Sequence, residues 1–384
     1  MKKIINFAEP IINSQVIIDI KKVIKSKILV HGPYSKIFEN DFNKFTNSKY
    51  STSVSSCTAG MHLFYFYNKI GKGHEVIIPA QTHTATAHAI ELTGAKAIFV
   101  DSELETGNID INKIEKKITK KTKAIVIVHF LGIPVNMKKI KKIANKYNLL
   151  ILEDCALSLG ATYDGVHTGL IGDCGSFSFY PVKHITTGEG GMLISKNKKI
   201  IENCNIIKAF GIDRNHLERK KDSNYDAIKL GFNYRLSEIN SIIGINQLKK
   251  LNNFLKIRQR NFNKYQSFFK NFDEFFYLSN NDNKAVSSNY CFNLIISKKF
   301  EKKLNRNKLV IFLKKNHIKT SIYYPRPVPF MTYYKSKYHY KQNQFPNANY
   351  ISKNSISLPV GPHINTNNIN YINSKILNFI KNEK

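Results

Sequence analysis

Short apolar runs of strand length alternate with lysine-studded amphipathic segments of helix length in the first half of the chain. The runs 76–79, 97–100 and 124–128 are apolar at nearly every position, so both faces of each strand would be buried. Strands covered on both faces are typical of parallel sheets whose connections are helices. We therefore predict an α/β fold with an at least largely parallel central sheet, and helices over 84–92 and 137–147.

Polar side chains follow three of these predicted strands at the point where each strand ends. They are Asp101, His129 and Asp154, the last of which comes after the apolar run 149–152. In open α/β sheets, functional groups collect at the carboxyl ends of the strands. We expect Asp154 to be the functional residue of the three.

The pattern changes from about residue 247 onward. A long polar helix is predicted over 248–269, followed by mixed segments and by a rigid loop with prolines at 325, 327 and 329. A chain of 384 residues is long enough to bury two cores. We therefore predict a large α/β domain over 1–250 and a smaller C-terminal α+β domain over 251–384.

The chain has a formal charge of +32, from 59 Lys and Arg residues against 27 Asp and Glu. Such a charge is typical of proteins that bind nucleic acid or anionic surfaces. The basic residues are mostly lysines spread along the whole chain, however, and no RNP-like motif, zinc-finger spacing or basic zipper is present. We expect no nucleic-acid partner, and a positive field that helps to attract an anionic substrate such as a phosphate ester or nucleotide.

Five cysteines occur in the chain, an odd number, and no two of them have C-x-x-C spacing. This pattern predicts neither a disulfide framework nor a zinc site. Reduced thiols are typical of the cytoplasm, where we expect the protein to act. The N-terminus lacks the apolar region of a signal peptide, and no run of about 18 uncharged apolar residues occurs, so we expect no membrane insertion.

Lys183 lies in the most informative stretch of the chain, the run SFSFYPVKHITTGEGG over residues 176–191. It follows an alternating Ser/aromatic strand and precedes a Gly-rich turn. A lysine in this position is expected to be partly withdrawn from water, and Schiff-base chemistry requires a desolvated amine with a lowered pKa. Because the chain is rich in lysine, an ordinary surface lysine is the alternative interpretation.

Three groups of residues together fit one cofactor, pyridoxal 5'-phosphate (PLP). This cofactor needs a lysine for its Schiff base, an acid at its pyridine nitrogen, donors for its phosphate and a flat surface over its ring. Lys183 is the predicted lysine and Asp154 the predicted acid. The run 55–60, which opens a helix over 61–67, would offer N–H groups and hydroxyls to the phosphate, and Ser178 would add a hydroxyl. Taken singly, these features are also typical of a helix N-cap, a surface turn and a hairpin turn.

The order and spacing of these residues resemble the DegT/DnrJ/EryC1/StrS family of PLP-dependent sugar aminotransferases, from about residue 32 to residue 358. The family pattern E-D-x-A…G-A…G-D…F-S-F-x-x-x-K-x-x-x-x-G-E-G-G is matched over 153–191. The segment P-x-x-T-aromatic-x-A-T is matched over 79–86, and G-x-N-Y-R-[ML]-S…Q-L over 231–248. The resemblance implies PLP-dependent transferase fold type I, the aspartate-aminotransferase-like fold.

The resemblance also implies a role for each matched residue. Lys183 would form the Schiff base and move the proton, and Asp154 would pair with the pyridine nitrogen. Asn233 would reach the phosphate of the neighbouring subunit's cofactor, which implies a homodimer with shared active sites. His83 occupies the place of the ring-stacking aromatic, and an ordinary hydrogen-bonded histidine is the alternative for it. The remaining phosphate ligands would be Thr58, Ala59 and Ser178.

Two positions depart from the family pattern. Leu157 stands where many members carry Gln, Glu or His near the cofactor hydroxyl, which alters one polar contact of the cofactor. Tyr323 stands where many members carry the histidine of a His-Tyr-Pro run, so the substrate contact of that histidine differs or is absent.

Two other functions are compatible with the family. In the sugar 3-dehydratases a histidine replaces the Schiff-base lysine, but His184 is one position late for this and Lys183 is intact. A PLP-binding regulatory protein is the second alternative, and the retention of Lys183 together with Asp154 argues against it.

The activity implied by the resemblance is transfer of an amino group from L-glutamate to the ketone of a nucleotide-linked keto sugar. A 4-keto-6-deoxyhexose linked to GDP, UDP or dTDP is the commonest substrate type. The product would be a perosamine-like or bacillosamine-like 4-amino sugar for the biosynthesis of a surface polysaccharide or glycan.

Overall fold

The computed structural model of the protein describes residues 4–213, 225–279 and 282–383. Its strands are β1 (Tyr50–Val54), β2 (Glu75–Pro79), β3 (Lys96–Val100), β4 (Thr122–Val128), β5 (Leu150–Asp154), β6 (Thr162–Tyr163), β7 (Val166–His167), β8 (Cys174–Ser178), β9 (Gly191–Ser195), β10 (Phe276–Tyr277), β11 (Ala285–Val286), β12 (Phe292–Ile296) and β13 (Ser355–Leu358). Its α-helices are α1 (Ser14–Ser26), α2 (Pro33–Thr46), α3 (Cys57–Tyr67), α4 (Thr84–Glu91), α5 (Met137–Tyr147), α6 (Lys198–Ile207), α7 (Glu238–Leu248), α8 (Leu251–Phe269), α9 (Arg306–Lys315), α10 (Thr332–Tyr338), α11 (Pro346–Asn354) and α12 (Thr366–Glu383). Within the described ranges, no helix combines the length and the apolar character needed to cross a bilayer.

A seven-stranded sheet, in the order β1-β9-β8-β5-β4-β2-β3, forms the centre of the fold. The pairings β3–β2, β2–β4, β4–β5 and β5–β8 are parallel, whereas β9 is antiparallel to both of its neighbours. Six of these seven strands therefore run in one direction. The prediction of an α/β fold with an at least largely parallel sheet is confirmed.

The reversed direction of β9 follows from the connection that precedes it. An antiparallel pair of strands needs no crossover helix, and residues 179–190 return the chain directly from β8 to β9. Inside this loop, the Lys183 backbone N–H donates to the Tyr180 carbonyl at 2.9 Å and the Thr187 N–H donates to the Phe179 carbonyl at 3.0 Å. The loop is therefore closed by its own hydrogen bonds, which hold Lys183 at the carboxyl end of β8.

The predicted helices are present, with shifted ends. The two helices expected between the first strands are α4 and α5. The helix expected from residue 61 begins earlier, at Cys57, because the Ser56 hydroxyl caps it by accepting a hydrogen bond from the Ala59 N–H at 3.0 Å. The long helix predicted over 248–269 begins at Leu251, since a separate helix, α7, ends just before it.

Apolar clusters cover the central sheet, and a separate cluster fills the C-terminal part of the chain. Phe99 and Phe177 belong to clusters on the sheet, whereas Tyr265 and Leu294 belong to the C-terminal cluster, where helices pack on the sheet β10-β12-β13. The N-terminal Ile5 also packs in that C-terminal cluster. We propose the division into domains 1–250 and 251–384, with the segment around Ile5 crossing to the smaller domain.

Glu153 is a buried carboxylate that clamps the segment leading into β8. It accepts hydrogen bonds from the backbone N–H groups of Gly169 at 2.8 Å, Ile171 at 2.8 Å and Gly172 at 2.6 Å, and it is 2.9 Å from His129 Nε2. Burial alone would raise the pKa of Glu153, but the hydrogen bonds from His129 and the backbone outweigh burial and lower it. The clamp therefore fixes the start of the strand that carries Lys183.

Replacement of Glu153 by Gln should destabilise the fold, because the new NH2 group would face backbone donors and leave some of them unpaired. We expect a loss of about 3 kcal/mol in the free energy of unfolding, measured by chemical denaturation at neutral pH. Because the pKa of Glu153 is lower in the folded state, the carboxylate stabilises the protein fully at pH values above the ordinary pKa of glutamate. This stabilisation is lost as the pH falls through the lowered pKa of the folded state. The difference between wild type and variant should therefore shrink in acid.

The control is Glu202→Gln, which removes an exposed carboxylate 3.2 Å from Lys198 Nζ. Exposed pairs of this kind contribute at most about 1 kcal/mol. Equal losses of stability in the two variants would contradict the role of Glu153 as a clamp.

Candidate active site

The carboxyl ends of β5 and β8 meet at one edge of the sheet, because the two strands are parallel and adjacent. Asp154, the last residue of β5, is paired in register with Ser176 of β8. Ser178 ends β8, and Lys183 follows in the loop described above. The pairing of two strands thus brings Asp154, Ser178 and Lys183 to the same edge.

The Asp154 carboxylate is buried and held in one orientation by three neighbours. Its Oδ2 accepts a hydrogen bond from Thr86 Oγ1 at 2.8 Å. Its Oδ1 accepts one from the Ala156 N–H at 3.0 Å and a longer contact from Cys57 Sγ at 3.8 Å. Thr86 Oγ1 is in turn 2.8 Å from Thr82 Oγ1, so a buried pair of hydroxyls supports the acid.

The amine of Lys183 is withdrawn from water. Burial lowers the pKa of Lys183 below its ordinary value, and the electrostatic effects of Cys57 and Asp154 oppose that shift without cancelling it. Lys183 Nζ also lies 5.8 Å from the centre of the Tyr290 ring. A lysine in these surroundings is neutral over a wider pH range than a surface lysine, which suits it to act as a nucleophile and base.

The N-terminus of α3 abuts the same edge of the sheet. A Cβ atom at Gly191 would lie 2.5 Å from Ser56 C and 2.6 Å from Cys57 N, so the start of β9 and the start of α3 approach as closely as only glycine permits. Thr58 and Ala59 occupy the first turn, where free N–H groups and the helix dipole favour an anion. Because the Ala59 N–H is already bonded to Ser56, the amides before it are the ones left for an anion.

His83 lies at the N-terminus of α4, and both interpretations of it have support. Its Nδ1 accepts a hydrogen bond from the Ala85 N–H at 3.1 Å, as an ordinary N-capping histidine does. Burial lowers the pKa of His83, the Lys183 charge lowers it further, and the Asp154 charge opposes both. The imidazole therefore lies within electrostatic reach of the two central residues, and its ring centre is 5.6 Å from that of Tyr324.

Asn233 is not joined to Lys183 or Asp154 by any hydrogen bond among the described residues. Its Oδ1 accepts a hydrogen bond from Arg235 Nη2 at 3.0 Å. The neighbouring Tyr234 carbonyl accepts one from the Ser55 N–H at 2.8 Å, which places the segment beside the start of α3. A cavity of about 1070 Å³ lies beside this segment, and Arg235, Lys36 and Lys208 are among the residues that line it.

The two departures from the family pattern have structural explanations. Leu157 is buried in an apolar cluster with Phe130 and Tyr290, so it serves packing. The Tyr323 hydroxyl is 2.8 Å from the Tyr290 hydroxyl, and burial raises the pKa of Tyr323 to about 12. Tyr323 therefore keeps its proton at neutral pH and presents a phenol beside the aromatic ring that faces Lys183.

His184, the neighbour of Lys183 in sequence, packs against the Tyr290 ring, with ring centres 5.7 Å apart. It is buried, and its Nε2 is 3.2 Å from the Ser288 carbonyl oxygen. Burial keeps the pKa of His184 well below its ordinary value. One ring nitrogen of His184 is thus engaged in the interior, and the low pKa keeps the ring uncharged at neutral pH.

Three potential metal ligands, His129, Glu153 and Cys155, lie within 4.8 Å of one another. Hydrogen bonds already engage both ring nitrogens of His129 and both carboxylate oxygens of Glu153. We assign this cluster to the clamp described above rather than to a metal.

Sequence reasoning did not find several residues that shape the site. Thr82, Thr86 and Cys57 surround Asp154, and Tyr290 and Tyr324 line the side of the smaller domain. Thr82 and Thr86 lie inside the matched segment 79–86, so the motif contained a signal for them. No motif signalled the two tyrosines, because they come near Asp154 and Lys183 only when the C-terminal part of the chain packs against the sheet.

Comparison with known proteins agrees with the resemblance drawn from the motifs. The model of the DegT/DnrJ/EryC1/StrS aminotransferase family matches residues 10–377. The GDP-perosamine synthase of Escherichia coli O157:H7 is 34% identical over 348 residues, which is 91% of this chain and 90% of that protein. The spore coat polysaccharide biosynthesis protein SpsC of Bacillus subtilis (strain 168) is 30% identical over 381 residues, or 98% and 97% of the two chains.

Comparison with solved structures agrees with the comparison of sequences. A putative sugar aminotransferase of Streptococcus pneumoniae, solved in its PMP-form, superimposes with a TM-score of 0.91 at 25% identity, covering 99% of this chain and 100% of that one. The same protein has also been solved in a PLP-form, with a TM-score of 0.90. The predicted fold type I, the aspartate-aminotransferase-like fold, is thereby confirmed. The chain belongs to the DegT/DnrJ/EryC1/StrS aminotransferase family and is a PLP-dependent aminotransferase.

Proposed function

We propose that the protein transfers an amino group from L-glutamate to the ketone of a nucleotide-linked keto sugar, with a 4-keto-6-deoxyhexose as the favoured substrate. The observation that carries the proposal is the presence of a desolvated Lys183 and a fixed, buried Asp154 carboxylate at one sheet edge. The similarity to a GDP-perosamine synthase over nine-tenths of both chains supports the choice of sugar. We place the reaction in the cytoplasm, since all five cysteines are unpaired.

The residues at the edge fit the cofactor that this family uses. PLP, when bound, acts as an electron sink for the carbon that loses or gains a proton. Asp154 would hold the pyridine nitrogen protonated, and His83 would cover one face of the ring. The phosphate would lie against the N-terminus of α3, where the approach at Gly191 leaves no room for a side chain. Its proposed ligands are Thr58, Ser178 and, from the neighbouring subunit, Asn233. Ala59 would join them only by exchanging its N–H bond to the Ser56 hydroxyl for one to the phosphate.

Lys183 would carry the proton in both halves of the reaction. The Lys183 amine would first take the α-proton of the bound glutamate, which would then leave its amino group behind and depart as 2-oxoglutarate. With the keto sugar, the same amine would move a proton in the opposite sense. This role needs a neutral amine, and the lowered pKa of Lys183 supplies one nearer to neutral pH.

Replacement of Lys183 by Ala should remove the proton carrier and the covalent attachment point. We expect single-turnover conversion of the PLP-loaded enzyme by glutamate, followed by absorbance, to slow by at least about 10³-fold. In wild type, a panel of GDP-, UDP- and dTDP-linked keto sugars should then restore the original spectrum, and the fastest sugar identifies the substrate. Lys199→Ala, an exposed change on α6, should behave as wild type. Retention of glutamate conversion by Lys183→Ala would overturn the assignment.

Replacement of Thr86 by Val should weaken the function of Asp154 while keeping the shape of the core. The variant loses the hydroxyl that donates to Oδ2 at 2.8 Å. Hydrogen bonds to charged groups contribute about 1.5–3 kcal/mol, so we expect roughly a tenfold or greater loss in kcat/KM for glutamate. Thr93→Val, which removes a hydroxyl bonded to the Ile90 carbonyl, serves as the control. Equal activity of Thr86→Val and wild type would show that Asp154 does not depend on this hydroxyl.

We also propose a homodimer, on the evidence of an exposed apolar surface. Ile17, Ile18 and Ile24 on α1 have 58%, 50% and 56% of their surface exposed, and Leu29 and Val30, shortly after the helix, are exposed too. Apolar surfaces of this kind mark sites of protein association. The surface adjoins the cavity lined by Arg235, beside Asn233, so a second copy docked there would bring Asn233 toward a neighbouring active site.

The double variant Ile17→Asp/Ile24→Asp should dissociate the proposed dimer, because two buried charges would oppose association. Light scattering after size-exclusion chromatography should show the mass of one 44.1 kDa chain instead of two. The control is Ile311→Asp, an equally exposed isoleucine on α9. A wild-type protein that runs as a monomer would contradict the proposal.

A further inference from the structure

Tyr290 presents the face of its ring to Lys183. The Lys183 amine lies over that ring, 5.8 Å from the ring centre, which is within the range in which an aromatic face attracts a cation. Tyr290 itself is buried, with 3% of its surface exposed. Among the described residues, none forms a hydrogen bond or an ion pair with Lys183 Nζ. The ring face is therefore placed to stabilise the amine whenever the amine carries a proton.

The backbone around Tyr290 is fastened to several other parts of the protein. The Ser288 N–H donates to the Gly132 carbonyl at 3.1 Å, and His184 Nε2 is 3.2 Å from the Ser288 carbonyl oxygen. From α8, the buried Arg258 donates through Nη1 to the Tyr290 carbonyl at 2.8 Å. The backbone of Tyr290 is thus held in place, and what is left to fix is the direction of its ring.

A single hydrogen bond holds the far end of the Tyr290 ring. The Tyr323 hydroxyl is 2.8 Å from the Tyr290 hydroxyl, which has no other hydrogen-bond partner in the part of the chain that the structure describes. The two rings are close to perpendicular, with centres 5.5 Å apart and planes at 79°. Tyr323 is itself anchored, since Gln81 Nε2 donates to its carbonyl at 2.9 Å. Tyr323 therefore supports the ring that faces Lys183.

The two tyrosines carry no charge at neutral pH. Burial raises the pKa of Tyr323 to about 12 and the pKa of Tyr290 well above its ordinary value. Each hydroxyl therefore keeps its proton, and the two are the donor and the acceptor of one bond. The effect of the pair on Lys183 comes from the ring face and not from a phenolate.

We propose that Tyr323 and Tyr290 are positioning residues for the proton transfer by Lys183. The Tyr323 hydroxyl holds the Tyr290 ring against the amine, and the ring face stabilises the amine each time it carries the proton. In each half of the reaction a C–H bond breaks, an N–H bond forms on the neutral amine, and the proton then passes to another carbon, so the amine ends neutral. The inference rests on the proposed role of Lys183 as proton carrier, and it gives a role to Tyr323, where the chain departs from the family pattern.

The first test follows single turnovers by absorbance in both directions. PLP-loaded enzyme is mixed with glutamate, and pyridoxamine-phosphate-loaded enzyme with 2-oxoglutarate, because Lys183 moves the proton in both cases. Tyr323→Phe should lower both limiting rates by about fivefold and change the half-saturating concentrations by less than about twofold. Tyr371→Phe removes another half-buried hydroxyl, which is bonded to the Asn316 carbonyl at 3.3 Å, and should behave as wild type.

The second test asks whether the two hydroxyls act as one unit. Tyr290→Phe removes the other end of the same hydrogen bond and keeps the ring. It should slow both reactions as much as Tyr323→Phe does. The double variant Tyr290→Phe/Tyr323→Phe should lose no more than either single variant, because there is only one bond to break.

The third test follows the amine itself instead of activity. Lys183 is free in the pyridoxamine-phosphate-loaded enzyme, where trace acetylation by acetic anhydride over a series of pH values, quantified by mass spectrometry, reports the fraction of neutral amine. A weaker ring contact makes the protonated amine less stable, so the pKa of Lys183 should fall in Tyr323→Phe. Labelling of Lys183 at pH values below its midpoint should then be about twofold to threefold faster. Labelling of the exposed Lys199 should not change.

Three results would overturn the inference. Unchanged limiting rates with a higher half-saturating concentration of glutamate or 2-oxoglutarate would make Tyr323 a substrate contact. Additive losses in the double variant would show that the hydroxyls act separately. Wild-type labelling of Lys183 in Tyr323→Phe would show that the pair does not act on the amine.

Failure of the proposed function is seen separately. In that case Lys183→Ala keeps its conversion by glutamate, or no keto sugar restores the spectrum of wild type. The labelling of Lys183 uses neither glutamate nor a sugar, so its outcome is independent of both.

Discussion

The parallel pairing of β5 with β8 is the constraint on which the site depends. It brings the end of one strand, Asp154, to the same edge as the end of the next, from which the loop to Lys183 departs. The antiparallel return to β9 then closes that loop without a crossover helix. Because the edge is buried among the sheet, α3 and the smaller domain, the amine of Lys183 loses water, and its pKa falls. The geometry and the electrostatics of the site thus share one cause.

The two adjacent carboxylates at the end of β5, Glu153 and Asp154, have different roles. Successive side chains of a strand point to opposite faces, so Glu153 and Asp154 meet different surroundings. Glu153 is saturated by three backbone N–H groups and His129, which fixes the route of the chain into β8. Asp154 has fewer donors and lies beside Lys183. The first carboxylate stabilises the structure, and the second is the one we propose for the cofactor.

The sequence predicted the sheet, its largely parallel character and the residues at its edge, because apolar strands and short motifs are local signals. It placed the start of α3 at residue 61, whereas the helix begins at Cys57, directly after the Ser56 cap. For His83 it left two interpretations. The structure shows that the ring caps α4 through Nδ1, and the ring-stacking role remains a proposal for a side chain near Lys183 and Asp154. The motif signal was strong where residues are close in sequence and weak where they are distant.

The sequence alone determined the family and the fold, and it supplied the proposal of Lys183 and Asp154 as the central pair, because the spacing and neighbours of these residues form a specific pattern. Only the tertiary structure decided what surrounds that pair. Tyr290 and Tyr323 come from the C-terminal part of the chain, more than a hundred residues beyond Lys183. Contacts between residues so far apart in sequence depend on how the two packed parts of the chain fit together, and a local sequence pattern does not predict that fit.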